Sequence, residues 1–592
     1  VRERSDRATR EAVDAPEPAT PPGVAKKKGP GVRRRTTALA LSLILPLTCG
    51  ATVGTAKAAD KIKRTAECQG DWLPATPTSP EIMSGQVEFV DLPPVKVGKD
   101  VNWRTDPYRN RSWSMVFHSL RWMGRLVADY ETTGEKAYLT RATEIAKDWV
   151  ADNPRRGGPK ASVYAWQEHP IALRAPALVC LSKHVNESWL SKSLAEHAKV
   201  LADPALYEKG HNHGIDQDIA LLGIGCRYGR EQWSNLAVKR LTETVKLDVD
   251  SQGVLREQAP RYAIYVYERL KVAMERIEDC GRKVPSEIST RWESMEAFIS
   301  HSTQPNGFMV PIGDGGADVR PVGYAHPKKT VRVFGNGYVY GRTAWDDPES
   351  AFYSIRFGPG LKYHGHEDHL GVTYYAQGRD VLVDVGFHSY ENNGYRRWTM
   401  SPEAHNTSAV VGARFRGKTA TALSRSSVGE DRQSYRLTDK AYGVPRTRSV
   451  LVNHGQDVMA VLDTVPGRSR VSNVWHFARE LSTVSNGGGR VVVKDKAGWK
   501  ATLVQLSMPS CKPVAGLQVV SGRQNPYQGW VSPAYLRKQA APAVLSPASE
   551  NSLLTVVVPG TDNPSVSCSG GRVRLQTSKG QVSFKASGAD LS

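Results

Sequence analysis

The hydrophobic pattern of this chain changes once, near Thr303, and that change bounds what it can fold into. From about residue 110 to 300, apolar residues recur at helical spacing. The stretches are Ser114 to Asp129, Thr140 to Val150, Ser188 to Leu201 and Ser234 to Leu247. Short Gly, Pro and Asn breaks separate them, as in a series of helical hairpins forming an α/α bundle or toroid. After Thr303 come two turn clusters, Gln304-Pro305-Asn306-Gly307 and Gly313-Asp314-Gly315-Gly316. Short β-rich runs follow: Gly337 to Tyr340, Ala351 to Phe357, Val372 to Tyr375, Val381 to Val385, Val458 to Val465 and Arg490 to Val493. Many short strands between regular turns predict a large antiparallel β-sandwich. The expected divisions are a leader over 1–60, a helical domain over 61–325 and a β domain over 326–592.

The leader reading rests on Lys26-Lys27-Lys28 and Arg33-Arg34-Arg35, an apolar run from Ala38 to Leu47, and Ala56-Lys57-Ala58. Basic residues, a short apolar stretch and small residues at the cut mark a secretory signal. The apolar run is too short to span a bilayer as an ordinary helix, and no later segment reads as transmembrane. A secreted destination permits disulfides among Cys68, Cys180, Cys226, Cys280, Cys511 and Cys568. Cys226 with Cys280 and Cys511 with Cys568 are the expected pairs, because each lies inside one predicted domain. The net charge is +20, and beyond residue 58 there remain 68 Lys/Arg against 54 Asp/Glu. That balance suits a polyanionic partner: nucleic acid, an anionic membrane or an acidic polysaccharide. Secretion lowers the odds for nucleic acid.

Chemistry-bearing residues concentrate in a few places. His364-Gly365-His366-Glu367-Asp368 packs two imidazoles and two carboxylates into five residues. On an extended segment His364 and His366 point to one face, as a metal-ligand pair, a base beside a ligand, or simply a polar loop. His211-Asn212-His213-Gly214-Ile215-Asp216 offers donors for a carboxylate, or else caps a helix. Tyr262 and Tyr265 share a helical face, either to exchange protons or to pack a core. His366, Asp384 and His405 have the composition of a zinc site. However, a hairpin at Gly378-Arg379 sets Asp384 opposite Thr373. A site joining it to His366 requires the 364–369 segment to curl back.

In order along the chain, these pieces resemble the heparinase II/III-like polysaccharide lyases, including their alginate lyase branch. The matching motifs are Asp106-Pro107-Tyr108-Arg109-Asn110-Arg111-Ser112-Trp113, Asn212-His213-Gly214, Glu257 to Tyr265, Gly335-Asn336-Gly337-Tyr338, His364 to Asp368, Gly378 to Asp384, and Ala404-His405-Asn406-Thr407. The resemblance implies an α+β multidomain chain, an N-terminal incomplete α/α toroid followed by an antiparallel β-sandwich, with a cleft between them. It implies β-elimination on a uronic-acid polysaccharide such as heparin or heparan sulfate, alginate or an exopolysaccharide. Asn212 and His213 then neutralise the uronate carboxylate, Tyr262 is the general acid and also a candidate base for one epimer, and His364 is the base for the other epimer or a carboxylate contact. His366, Asp384 and His405 correspond to ligands of a chiefly structural zinc. Asp216 stands where relatives often carry Glu. Ala263 replaces the His that often follows the catalytic Tyr, so Tyr265 is an alternative acid. Arg174, Arg396 and Arg397 are candidate contacts to carboxylate or sulfate. Asn110 is a further substrate-contact candidate, and Trp113 and Trp166 are candidates for stacking on sugar. Two other readings stay open: a glycan-binding protein with a degenerate site, and a glycoside hydrolase using Asp216 and Glu257.

Overall fold

The computed structural model describes residues 73–592 apart from Val322 and Asp562; the expected leader and Cys68 lie outside the described residues. The helices are α1 (Ser79–Met83), α2 (Arg111–His118), α3 (Gly124–Thr133), α4 (Lys136–Asp152), α5 (Glu168–Ser182), α6 (Ser188–Ala202), α7 (Asn212–Arg227), α8 (Glu231–Asp248), α9 (Pro260–Asp279) and α10 (Ser286–His301). Helix α5 is buried without interruption from Pro170 to Ser182, which places it inside the helical layer. It packs on α6 and α7, and α7 packs on α8 and α9. Cys226, at the end of α7, is disulfide-bonded to Cys280, just beyond α9. Cys511 is bonded to Cys568 in the β half. Both expected pairs are present.

The stretch from Ser114 to Asp129 is not one helix. It breaks at Leu120, whose φ is 49°, and resumes through a 3-10 turn at Arg121–Met123. Local polar groups carry the break. The Ser119 hydroxyl accepts from the Arg121 amide (3.2 Å), and the Trp122 indole donates to the Phe117 carbonyl (3.0 Å).

The β half begins with a five-stranded antiparallel meander: Val331–Phe334, Tyr338–Arg342, Phe352–Arg356, Val372–Ala376 and Arg379–Leu382. Alternate residues serve two different cores. Phe334, Tyr338, Tyr340, Phe352 and Tyr375 join the apolar cluster of the helices. Val339, Tyr353, Ile355, Val372 and Tyr374 join the cluster of the larger sheet. Because the sheet is covered on both faces, its three central strands are buried at every position. The larger sheet is nine-stranded and antiparallel, running from Ser482–Gly487 at one edge to Ala422–Val428 at the other. Its far face, including Leu451, Ala460, Leu462 and Val556, packs against Val573, Leu575, Val582 and Phe584 of the last hairpins. The order of layers is helices, small sheet, large sheet, terminal hairpins. Among the described residues no helix is long and apolar enough to cross a membrane.

Within the β half one ion pair ties several loops together. Arg448 binds Asp463 through two parallel bonds, at 2.7 and 2.8 Å, and both side chains are fully buried. The remaining guanidinium nitrogen donates to the carbonyls of Leu370 (2.7 Å) and Asn406 (2.5 Å). It therefore pins the two segments that carry His366 and His405. Asp463→Ala should destabilise the fold by about 3–5 kcal/mol, because it strands a buried guanidinium charge. Denaturant unfolding checks this, and a loss under 1 kcal/mol would refute it.

Candidate active site

The first wall of the cleft is the start of α7. His211 is its N-cap, and its Nδ1 accepts from the His213 amide at 3.2 Å. Gly214 is required there, since a Cβ would lie 2.1 Å from the Glu208 carbonyl oxygen. Asn212 is thereby fixed in the first turn. Its backbone amide and its Nδ2 both donate to Glu257, each at 2.7 Å. Glu257 is fully buried in the segment leading into α9. This double contact sets the amide's orientation: the NH2 side faces the carboxylate, and its second hydrogen remains for a ligand.

The second wall is the first turn of α9. The Tyr262 ring lies flat on the His364 imidazole, with centroids 3.5 Å apart and planes 10° from parallel. Its hydroxyl hydrogen-bonds the Tyr390 hydroxyl, which also reaches His364 Nδ1 at 3.3 Å. Burial raises the Tyr262 phenol above its ordinary value, so it holds its proton near neutral pH.

His364 is oriented by a residue from the glycine-rich turn. Its Nδ1 lies 3.0 Å from Asp314 Oδ2. Asp314 Oδ1 accepts from His366 Nε2 (3.0 Å) and from Arg396 (2.6 Å), while the Asp314 amide donates to the His364 carbonyl (2.8 Å). Gly313 permits this approach, with φ at 63° and a Cβ position only 2.6 Å from the His364 carbonyl oxygen. Burial acts to raise the Asp314 carboxyl, but hydrogen bonds from His364 and His366 and the Arg396 charge outweigh it and hold it below the usual carboxylate range. An anionic acceptor at Nδ1 assigns the ring proton there. His364 Nε2 then presents its lone pair, has no hydrogen-bond partner, and lies 3.7 Å from Glu257.

Behind this wall the chain curls back as the zinc reading requires. Gly371 donates to the Asp368 carbonyl (2.8 Å), and Leu370 has φ at 66°. His366, Asp384 and His405 come together, their ligand atoms all within 4.8 Å. Among the described residues, His366 Nδ1 and His405 Nε2 are buried without a hydrogen-bond partner, while His405 Nδ1 contacts Asp384 at 2.9 Å. Two orphaned imidazole nitrogens beside a carboxylate fit a zinc donor set. His211, Glu257 and His364 also cluster within 4.8 Å. There His211 Nδ1 is already an acceptor, which puts its proton on Nε2 facing Glu257.

Several expected contacts are corrected by burial. Arg174 is fully enclosed: it donates to His197 (2.9 Å) and to the carbonyls of His118 (2.7 Å) and Ala165 (2.8 Å), and lies over the Trp149 ring. It braces helices and does not reach ligand. Trp113 is fully buried among Phe89, Tyr108 and Phe117. Trp166 spends its indole N–H on the Asn153 carbonyl and packs on His197. Asn110 caps α2 by accepting from the Trp113 amide. Asp216 is buried against Arg269 (2.6 Å) and His169 (3.3 Å), and Tyr265 donates its proton to Asp216 (2.6 Å). Tyr265 is therefore committed to that cluster, leaving Tyr262 as the phenol beside His364. His213 stacks on His169 at 3.8 Å and pairs with Glu168 at 3.3 Å. Arg396 reaches the cleft through Asp314, whereas Arg397 is exposed and touches Asn392. Asp314 and Tyr390 were not among the expected site residues, and Glu257 was expected only as a hydrolase carboxylate. The Asp of Gly313-Asp314-Gly315-Gly316 was legible only as turn material, and Tyr390 stands in no motif.

Residues 83–340 match the family described as heparinase II/III N-terminus, and residues 351–572 match heparinase II/III-like, C-terminal. A heparin-sulfate lyase of Bacteroides thetaiotaomicron is 25% identical over 409 residues, 57% of this chain and 57% of that protein. A heparin-sulfate lyase of Pedobacter heparinus is 20% identical over 354 residues, 52% of this chain and 54% of that protein. The chain thus spans a little over half the length of these relatives. The crystal structure of a heparinase III superposes with a TM-score of 0.69 at 18% identity, covering 83% of this chain and 86% of that one. A heparan sulfate lyase HepC mutant from Pedobacter heparinus superposes at 0.65 and 16% identity, covering 86% and 88%. These structures share the toroid and β-sheet architecture.

The Asp216 cluster makes its own prediction. Tyr265→Phe removes one of three donors to a buried carboxylate and should cost about 1–3 kcal/mol of stability. Thermal or denaturant unfolding measures it; a variant as stable as the parent would show that the contact contributes nothing.

Proposed function

The chain belongs to the heparinase II/III family, and from that membership and the cleft geometry we propose that it is a polysaccharide lyase acting on a uronic-acid polymer. The observation carrying this reading is one contiguous set of groups: Asn212 on Glu257, Glu257 facing His364, and His364 stacked on Tyr262. In β-elimination the C5 proton leaves, charge builds on the uronate carboxylate, and the glycosidic oxygen departs with a proton. Asn212 donates to that carboxylate, with His213 at its side. Fixed donors of this kind contribute about 10²–10³ in rate. His364, with Nε2 free and Nδ1 held by Asp314, takes the C5 proton of one epimer. Tyr262 gives its proton to the leaving oxygen and, for the other epimer, takes the C5 proton as well. Tyr390 lies within hydrogen-bond reach of the Tyr262 hydroxyl and of His364 Nδ1 and helps hold the two rings in place.

The proposed substrate is a sulfated glycosaminoglycan of the heparin or heparan sulfate type. The similarity to two heparin-sulfate lyases and the basic charge of the chain support that choice; alginate and other uronate polymers are the comparison set. Zinc held by His366, Asp384 and His405 would neutralise buried donors and brace the loop carrying His364. Secretion is supported by the basic and apolar leader sequence and by the disulfides Cys226–Cys280 and Cys511–Cys568. A glycoside hydrolase reading is disfavoured because Asp216 is sealed by Arg269, Tyr265 and His169 and reaches no glycosidic bond.

Incubation with a panel of acidic polysaccharides, read by ultraviolet absorbance of 4,5-unsaturated uronate, tests the reaction. New reducing ends without absorbance would mean hydrolysis, and neither signal would mean binding only. Tyr262→Phe should lower kcat by about 10²–10⁴ with KM nearly unchanged. Asp314→Asn should lower kcat by a comparable factor, since it frees the imidazole tautomer; near-parental turnover in either would remove that residue's role. His366→Ala should lose metal and melting temperature together, and retained zinc stoichiometry would take it off the ligand list.

A further inference from the structure

We propose that Asp248 is a positioning residue of this cleft: as the protonated half of a buried carboxyl pair, it donates to Glu257 and keeps that carboxylate singly charged and oriented to hold Asn212. The proposal rests on the lyase reading for its kinetic consequences, but not for the proton itself.

The backbone brings the two carboxyls together. Helix α8 ends at Asp248, and the chain reverses at once, with Val249 bridged to Leu255 and the Arg256 amide donating to the Asp248 carbonyl at 2.8 Å. Asp250 Oδ1 closes this turn by accepting from the amides of Gln252 (2.8 Å) and Val254 (2.9 Å). Gly253 is obligatory, because a Cβ would lie 2.1 Å from the Ser294 carbonyl oxygen. The last residue of α8 thus lies alongside Glu257. Both side chains are fully buried.

Neither Asp248 oxygen accepts a hydrogen bond from any donor among the described residues, yet the carboxyl is in hydrogen-bonding contact with Glu257. Two carboxylates in contact away from water cannot both be ionised, so a proton is shared between them. Its location follows from the other partners. Burial raises both carboxyls, but Glu257 accepts two hydrogen bonds from Asn212 and faces the His211 Nε2–H, and these contacts favour its anion. Asp248 has no such donors, and burial together with the Glu257 charge raises its carboxyl well above the ordinary value. The charged and titratable groups facing the pair are Arg256 on its own segment, Lys362, Tyr363 and His364 on the opposing loop, and His211 and His213 on α7.

The arrangement gives Glu257 a defined task. With one negative charge it fixes the Asn212 amide so that an N–H faces the substrate carboxylate. When the pair loses its proton at high pH, a second negative charge appears behind Asn212 and opposes binding and stabilisation of that carboxylate.

Two substitutions separate donor from charge. Asp248→Asn keeps a hydrogen-bond donor and cannot ionise. At neutral pH its kcat/KM should stay within about threefold of the parent, and the alkaline fall of kcat/KM should shift upward by at least about one pH unit. Asp248→Ala removes the donor and should lower kcat at least about tenfold with a smaller change in KM. The proton is read directly by infrared difference spectroscopy: a protonated-carboxyl C=O band should persist at pH 8 in the parent and vanish in Asp248→Asn. Stability gives the matching sign. The unfolded chain loses the Asp248 proton near pH 3.9 while the fold keeps it, so parental stability falls as pH rises beyond that value. The melting-temperature advantage of Asp248→Asn should therefore grow with pH. Absence of the infrared band, or an Asp248→Asn pH profile superimposable on the parent, would overturn the proposal. A band present in a chain that cleaves no polysaccharide would leave the proton pair standing and sink the lyase reading instead.

Discussion

The site depends first on the Asp314 carboxylate. One oxygen fixes the tautomer of His364, and the other holds His366 and Arg396. A single buried anion thus joins the imidazole that faces the cleft to the imidazole that faces the metal site. Burying such a charge is expensive unless every lone pair is used. Here the partners are two imidazoles and a guanidinium, and the cost is offset by charge-assisted bonds. The residue is also where the two halves of the chain meet, since the turn that carries it follows α10 and presses against the backbone of the 364–368 loop.

The wider frame is the small sheet, which has helices on one face and the large sheet on the other. Because its side chains alternate between two cores, shifting any strand by one residue would exchange them and empty both. That requirement fixes the position of the loops leaving the sheet. The loop after Arg356 supplies His364 and His366, and the segment after Leu382 supplies Asp384 and Tyr390. On the helical side the requirement is met by first turns: Asn212 and Tyr262 both stand at the N-termini of their helices, α7 capped by His211 and held by Glu257, α9 opened by Pro260.

Much of the architecture was legible in the sequence. The helical period between residues 110 and 300 and the β-rich runs after Thr303 place most elements correctly, since burial on one stripe or on alternate residues leaves a direct trace. The helix break at Leu120 was not legible, because the polar contacts that stabilise it involve Ser119 and an indole, which carry no breaker signature. For the site, Asn212, His213, His364 and the metal trio stood out as dense polar motifs on structured segments. Arg174, Trp113 and Asp216 misled for a shared physical reason. A cation, an indole or a carboxylate suits a sugar-binding surface and equally suits a satisfied interior, and only the fold says which. Asp314 was hidden in the opposite way, as a turn residue whose partner lies 50 positions away, and the hold of Glu257 on Asn212, 45 positions away, left no local trace.

The two stretches matched to the family end at residue 340 and begin at residue 351, so the join between them falls inside the small sheet. Tyr338–Arg342 and Phe352–Arg356 on either side of that join are hydrogen-bonded neighbours. The seam seen in sequence is therefore not a seam in the folded object. An isolated N-terminal half would leave the far edge of Tyr338–Arg342 unpaired and bare Val333 and Val339, a ready template for intermolecular pairing. Exchanging halves between homologues at that join would cut through one cooperative unit. Evolution of substrate preference in such a chain is channelled into the loops around the cleft, not into the shuffling of modules.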